Sequence, residues 1–251
     1  MTEERELLAK RFLELDRKAY SNSYYTFTDF LGLMEQSVFK EISGKLRGKY
    51  ESCGGLPGTE RIMIRFGDPA EIGYEVPFPI VCLRVGPKSQ KFADRLTHRD
   101  FLGALLNLGI ERDTLGDIVI KDNTGYIFAE EEIARYIEKE LTRVAKTDVN
   151  VSVAEELPDG ELYRREVIRV QVSSVRLDAV IARVFHLSRE DAQGLFQKHL
   201  IFESGREISS CSYSPKEGET VSVRGHGRFI YLGEVGVSKK GKLNIEVEVY
   251  K

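Results

Sequence analysis

The chain has 251 residues, 41% of them hydrophobic and 31% charged, with a formal net charge of −3. That length suits two or three domains, and its mixed charge, without any biased tract, excludes a disordered or low-complexity chain. Cys53, Cys82 and Cys211 are odd in number and far apart, which speaks against a disulfide framework or a zinc ligand set; neither metal nor cofactor is expected. Met1–Lys10 is charged and lacks an apolar signal core. No run approaches the ~18–20 apolar residues that span a bilayer. A cytoplasmic protein without a membrane partner is expected.

In chain order, residues 1–75 read as an N-terminal helical and α/β region. Leu7, Leu8, Phe12 and Leu15 recur at helical spacing. Thr28 before Asp29 predicts a second helix start, with Phe30, Leu31, Leu33, Met34 and Val38 behind it. Cys53–Gly58 is a breaker cluster. Arg61–Phe66 alternates like a strand, with Arg61, Met63 and Arg65 on one side, and Gly67-Asp68-Pro69 turns the chain.

Residues 76–156 predict strand, helix, strand, strand, helix, strand. Ile80–Val85 is a dense apolar run. Thr97 and Asp100 have capping-box spacing, followed by a stripe of Phe101, Leu102, Leu105, Leu106 and Leu108 ending at Gly109. Asp117–Lys121 and Gly125–Ala129 flank the turn signal Asp122-Asn123-Thr124. Glu130–Glu132 opens an acidic helix start with Ile133, Tyr136, Ile137 and Leu141 as its apolar face. Val149, Val151 and Val153 alternate in a last strand. This order is that of the ferredoxin-like plait, which RRM-type RNA binders share. Tyr126 and Phe128 fall on one face of its third strand, where an RRM stacks bases; core packing is the preferred reading.

Leu157-Pro158-Asp159-Gly160 is a boundary signal, and 157–173 reads as linker and strand. The remainder, 174–251, predicts two helices, over Arg176–Phe185 and after Ser188, which has capping-box spacing to Asp191. A hairpin about Ser204-Gly205 comes next, then strands flanking Gly225-His226-Gly227, then the alternating Lys242–Tyr250. From Ser173 onward there are 12 basic and 10 acidic residues (+2), against 25 and 30 before it (−5). A basic face on such a near-neutral segment is sufficient for phosphate. Arg176 and Arg183, seven apart, share a helical face by spacing. Arg189 sits in the first turn of its helix, where a cation is unfavourable for the dipole, which suggests an external anion.

Arg176-Leu177-Asp178, Ser188-Arg189, Ala192, the hairpin and Glu217–Gly225, in that order, resemble the S4 RNA-binding domain. The resemblance implies RNA contacts from Arg176, Arg183, Ser188, Arg189 and Lys198. Arg224 and Arg228, bracketing two glycines, are further candidates, with structural turn residues as the rival reading. His199 stands where the S4 pattern usually has Gly, Glu203 and Ser204 depart at the hairpin, and Glu219 replaces an Asp. Over most of the chain, Phe92, Leu96–Leu105, Leu108–Arg112, Gly116–Ile118 and Arg224–Phe229 resemble the YlmH family of bacterial S4-domain proteins. That resemblance implies an α+β fold with an N-terminal α/β region, a central RRM-like plait and a C-terminal S4 domain. It also implies binding to rRNA and tRNA on the large (50S) ribosomal subunit in nascent-chain quality control, and an older association with cell division.

Arg95, His98 and Arg99 form a second cluster, read as helix capping plus a ribosome contact, with a purely structural role as rival. Catalysis by His98 with Asp100 is disfavoured, because residues two apart on a helix diverge. His98-Arg99-Asp100 echoes a kinase loop without its Asn, and Cys53–Gly58 lacks the Lys-Ser/Thr of a P-loop. A non-catalytic RNA binder without a small-molecule substrate is therefore expected. An S4-tethered RNA-modifying enzyme and a cell-division scaffold are the alternatives.

Overall fold

The computed structural model describes residues 3–155 and 165–250. The architecture is α+β, in two compact units, Met1–Leu162 and Tyr163–Lys251. The boundary signal at 157–160 lies outside the described residues. No described helix is long and apolar enough to cross a membrane.

The N-terminal unit opens with α1 (Glu3–Asn22), followed by β1 (Thr26–Phe27), α2 (Leu33–Ile42), β2 (Tyr50–Cys53) and β3 (Met63–Phe66), with the strands ordered β1-β3-β2. Phe12, Phe39, Ile64 and Phe66 form the core between helices and sheet. Two expectations fail here. The second helix starts at Leu33, with Gly32 as its N-cap. The Thr28 hydroxyl instead accepts from the Ile64 N–H at 2.9 Å and donates to the Asp29 carbonyl, and Leu31 bridges Ile62. Residues 28–31 therefore run extended beside the sheet. Nor is β3 one-sided: all four of its residues are buried. Arg65 lies between the rings of Tyr25 and Phe78 and pairs with Glu51 and Glu75. Asp68 caps the single-turn α3 (Pro69–Ile72).

The plait comprises β4 (Ile80–Pro87), α4 (His98–Asn107), β5 (Leu115–Lys121), β6 (Thr124–Glu130), α5 (Glu131–Glu140), the short β7 (Arg143–Val144) and β8 (Thr147–Val153). Its order β5-β6-β4-β8, all antiparallel, is the ferredoxin-like one, with β7 added beyond β8. The capping box forms: the Thr97 N–H and hydroxyl both donate to Asp100 Oδ2, at 2.8 and 2.6 Å. Asp122 and Asn123 both have positive φ, 49° and 58°, as a two-residue type I′ hairpin turn requires. Leu83, Phe101, Leu105, Ile127 and Ile137 centre the core under the helices. Tyr136 does not join it. The ring is 43% exposed, and Ala134 takes the inward place.

The other face of this sheet is covered. Phe128 packs with Phe30 and Met63, and Leu56, Phe78, Ile80 and Cys82 close around them. A Cβ on Gly55 would lie 2.3 Å from the Phe128 ring, and one on Gly116 would meet Phe30 at 2.8 Å and Phe128 at 2.9 Å. Tyr126 and Phe128 are thus core residues and present no stacking platform.

The C-terminal unit comprises β9 (Arg165–Val172), α6 (Leu177–Val184), α7 (Arg189–Gln197), β10 (Ile201–Glu203), β11 (Arg206–Glu207), β12 (Thr220–Val223), β13 (Gly227–Val237) and β14 (Leu243–Tyr250). The strands make one sheet, β11-β10-β12-β13-β14-β9, adjacent pairs antiparallel. Alternation puts Ile245 and Val247 of β14 against Val180, Ile181, Ala192 and Phe196 of the two helices. Ser204 and Gly205, both at positive φ, close the β10–β11 hairpin.

Candidate nucleic-acid interface

The site forms where α6 meets α7. Arg176 is the N-cap of α6, with extended backbone, and Asp178 is fully buried just inside the helix. The Asp178 carboxylate accepts from Arg176 Nε and Nη2 at 3.3 and 3.4 Å, from Arg189 Nε and Nη2 at 3.1–3.2 Å, and from Gln193 Nε2 at 3.0 Å. Burial alone would raise its pKa. The hydrogen bonds from Gln193, Arg176 and Arg189 outweigh that and hold the carboxyl below its ordinary range. One buried anion thus binds two guanidiniums whose side chains remain 43% and 47% exposed. The net charge of this trio is +1, and Nη1 of each arginine has no partner among the described residues.

Beside this trio is a cleft of about 270 Å³ lined by Gln171, Ser173, Arg183, Leu187, Arg189 and Lys242. β9 supplies its floor, α6 supplies Arg183, and the approach to β14 supplies Lys242. An Arg fork matches phosphate oxygens bidentately and a Lys adds a point charge. Its charged lining residues, Arg183, Arg189 and Lys242, are all cationic, a lining that can accept an anion.

The expected RNA-binding residues are not all brought together. Arg176 precedes the helix, so the seven-residue spacing to Arg183 does not apply. The two converge on Arg189 from different sides, Arg176 through Asp178 and Arg183 through the cleft. Ser188 caps α7: its hydroxyl accepts from the Asp191 N–H and donates to Asp191 Oδ2 at 2.6 Å, so its proton is committed internally. Lys198 is the C-cap of α7. At 1.5 Å per residue it stands about 15 Å from Ser188, at the end the helix dipole favours for a cation. Arg224 is exposed at the β12–β13 turn, its N–H bonded to the Leu200 carbonyl. Arg228 neighbours the inward Phe229 and so faces away from the helices; its guanidinium lies 4.1 Å from the Tyr250 ring centroid. Sequence reasoning missed Lys242, Gln171, Ser173 and Gln193, and saw Asp178 only as part of a pattern.

The second cluster lies in the N-terminal unit. Arg95, His98 and Arg99 are exposed around the start of α4. Asn123 fixes this segment, accepting from the Leu96 N–H at 2.7 Å and donating to the Asp94 carbonyl at 2.9 Å. Desolvation first, then the Arg112 guanidinium, push the His98 pKa down, with Asp117 opposing. The shift favours the neutral imidazole, and the permanently cationic part of the cluster is Arg95 and Arg99. Asp100 is occupied by Thr97, leaving no His98–Asp100 dyad. Burial raises the Cys82 thiol to about 12, so it carries no thiolate chemistry near pH 7.

Comparison with known proteins adds to this geometry. Residues 77–157 match the family described as "Putative RNA-binding domain in YlmH". The chain is 29% identical over 248 residues, covering 95% of it and 93% of the relative, to "Ribosome-associated protein quality control protein P2" of Bacillus subtilis (strain 168). A solved structure, "Cell division protein ylmH from Streptococcus pneumoniae", is similar over 61% of this chain and 93% of that one, at 20% identity and a TM-score of 0.49. Residues 77–157 thus match the model of the YlmH RNA-binding domain, and the chain, over nearly its whole length, is similar to a ribosome-associated quality-control protein.

Proposed function

We propose that this chain is a ribosome-associated RNA-binding protein that acts by holding RNA, not by chemistry upon it. Its C-terminal unit serves as an S4-type module, with residues 174–251 carrying the motif and β9 completing the sheet. The observation that carries the reading is the Asp178 bracket, which fixes Arg176 and Arg189 beside a cleft that also holds Arg183 and Lys242. The description of the matched family and the name of the Bacillus relative support the same direction. The RNA is rRNA and tRNA on the 50S subunit, met in the cytoplasm, without a small-molecule substrate. Duplex RNA is read through backbone and shape, and cations held by two helices suit that reading.

Removing Arg176 and Arg189 together would leave Asp178 buried with only Gln193, which confounds binding with folding. Arg183→Ala with Lys242→Ala avoids this, because neither residue holds an ion pair among the described residues. The full chain is sedimented with free 50S, 70S and tRNA-loaded 50S particles. Co-migration with 50S is expected, strongest where tRNA is present, and the double variant should shift to the light fractions. Its salt dependence should flatten by about 0.7–0.9 per lost phosphate contact. Unchanged affinity and slope would refute the assigned face. Association that survives ribonuclease would favour a protein scaffold instead.

A further inference from the structure

We infer that the tip of the β13–β14 hairpin is a second RNA-backbone contact, continuous with the cleft, in which Lys239 and Lys240 bind phosphodiester groups beside Lys242. The inference rests on the reading of the cleft as an RNA site and extends it to residues outside those that carry the family resemblance.

The sequence concentrates charge at this tip. Between Glu234 and Glu246 lie eleven residues with three lysines and no carboxylate. Lys239, Lys240 and Lys242 have no ion-pair partner among the described residues. In the same unit, Arg165 and Arg169 are neutralised across the sheet by Glu248 and Glu246.

The tip is also built, not merely exposed. The Ser238 N–H donates to the Lys242 carbonyl at 2.7 Å, the Gly241 N–H to the Ser238 carbonyl at 2.9 Å, and the Lys242 N–H to Ser238 Oγ at 3.0 Å. Gly241 takes the positive φ of 74° that the closure requires. On the β12 side the backbone bonding ends at Tyr231, which accepts from the Gly218 N–H and donates to the Glu219 carbonyl, and beyond it the registered pairing of β13 is with β14. Two register shifts occur there, between Tyr231 and Gly233 and between Glu234 and Gly236. Such bulges bend a strand and re-aim the residues beyond them. Gly233, at the first of these shifts, takes a positive φ of 115° that a side chain would strain. The outcome is a bent arm ending in three ammonium groups. Lys242, on the C-terminal side of the tip, lines the same cleft as Arg183 and Arg189. Cations at the cleft and along the arm form one track, which suits a polyanion and exceeds the needs of a lone phosphate.

An edge strand often carries lysines to prevent strand pairing, and Val235 and Val237 are exposed here, at 44% and 65%. The test separates the two roles. The probe is an RNA hairpin with a stem of about 16 base pairs, the span a duplex-binding module covers. The wild-type chain, Lys239→Gln/Lys240→Gln and Arg183→Ala are titrated across salt, and each is checked for self-association by sedimentation. Two lost contacts should weaken binding roughly 15–30-fold at ~0.15 M salt and lower the salt slope by about 1.4–1.8. If Arg183→Ala weakens binding while the lysine variant matches wild type, the hairpin inference falls and the cleft reading stands. A lysine variant that self-associates with unchanged RNA affinity also overturns it, and assigns the lysines to edge protection. If the wild-type chain does not bind the probe or the 50S particle, both readings fail together.

Discussion

Asp178→Asn tests the central geometric claim. The substitution keeps the side-chain volume and removes the charge that orients both arginines. Breaking a buried ion pair by removing one partner costs ~3–5 kcal/mol. Here the two guanidiniums are 43% and 47% exposed, so water recovers part of that, and about 2–3 kcal/mol is expected. At roughly 4–8 °C per kcal/mol for a domain of this size, the melting transition of the C-terminal unit should fall by roughly 10–20 °C in calorimetry of the full chain. Because the folded pKa of Asp178 is lowered, its stabilising contribution is complete above the ordinary Asp value of ~3.9 and lost as pH falls through the depressed value. The wild-type and D178N curves of stability against pH should therefore converge in acid. The RNA affinity gives a sign test. D178N raises the local charge from +1 to +2, which as diffuse charge would tighten binding about 4–6-fold. If orientation governs, binding weakens despite the added positive charge. Tighter binding at neutral pH, or an unmoved transition, would refute the bracket.

Two further variants probe the cap and the covered sheet face. Ser188→Ala removes the α7 cap and should cost about 1 kcal/mol while leaving RNA affinity unchanged at a temperature where the variant is folded, since the hydroxyl proton is already given to Asp191; weaker binding by the folded variant would restore Ser188 as a phosphate ligand. Phe128→Ala should destabilise the N-terminal unit by ~3–5 kcal/mol without weakening RNA binding at a temperature where the variant is folded, because the ring is buried against Phe30 and Met63. Loss of affinity in that folded variant would mean the face opens to bases.

Local signals were legible where the bonding partner is also local. Thr97 and Asp100 are three apart and cap each other, and Asp122-Asn123 closes its own hairpin. Thr28 carries the same kind of helix-start signal, yet its hydroxyl is taken by the Ile64 N–H, 36 residues away. No local pattern reports that competition. The interface divides in the same way. The order of Arg176, Ser188 and Arg189 was readable, whereas the role of Asp178 depends on its being fully buried, and Lys242 enters the cleft from the far end of the unit. Lys198 lies at the far end of α7 from Ser188. The length of a helix is known from sequence, and it alone separates the two ends of α7 by about 15 Å.

A chain of net charge −3 can offer a polyanion a surface because acidic residues near the site are paired with cations elsewhere in the unit. In the C-terminal unit, Glu246 and Glu248 neutralise Arg169 and Arg165, and Glu203 pairs with Arg206. His199 pairs with Glu207, and Glu190 and Asp191 occupy the first turn of α7, where the helix dipole favours them. The cations lining the cleft are Arg183, Arg189 and Lys242, and the hairpin inference would extend them through Lys239 and Lys240. Association should therefore track this residual local charge, and total charge is a poor guide to it. Substitutions at the Arg165–Glu248 and Arg169–Glu246 pairs change the total and leave the track intact, whereas one at Asp178 changes the total by a single unit and disorders the two cations on which the track begins.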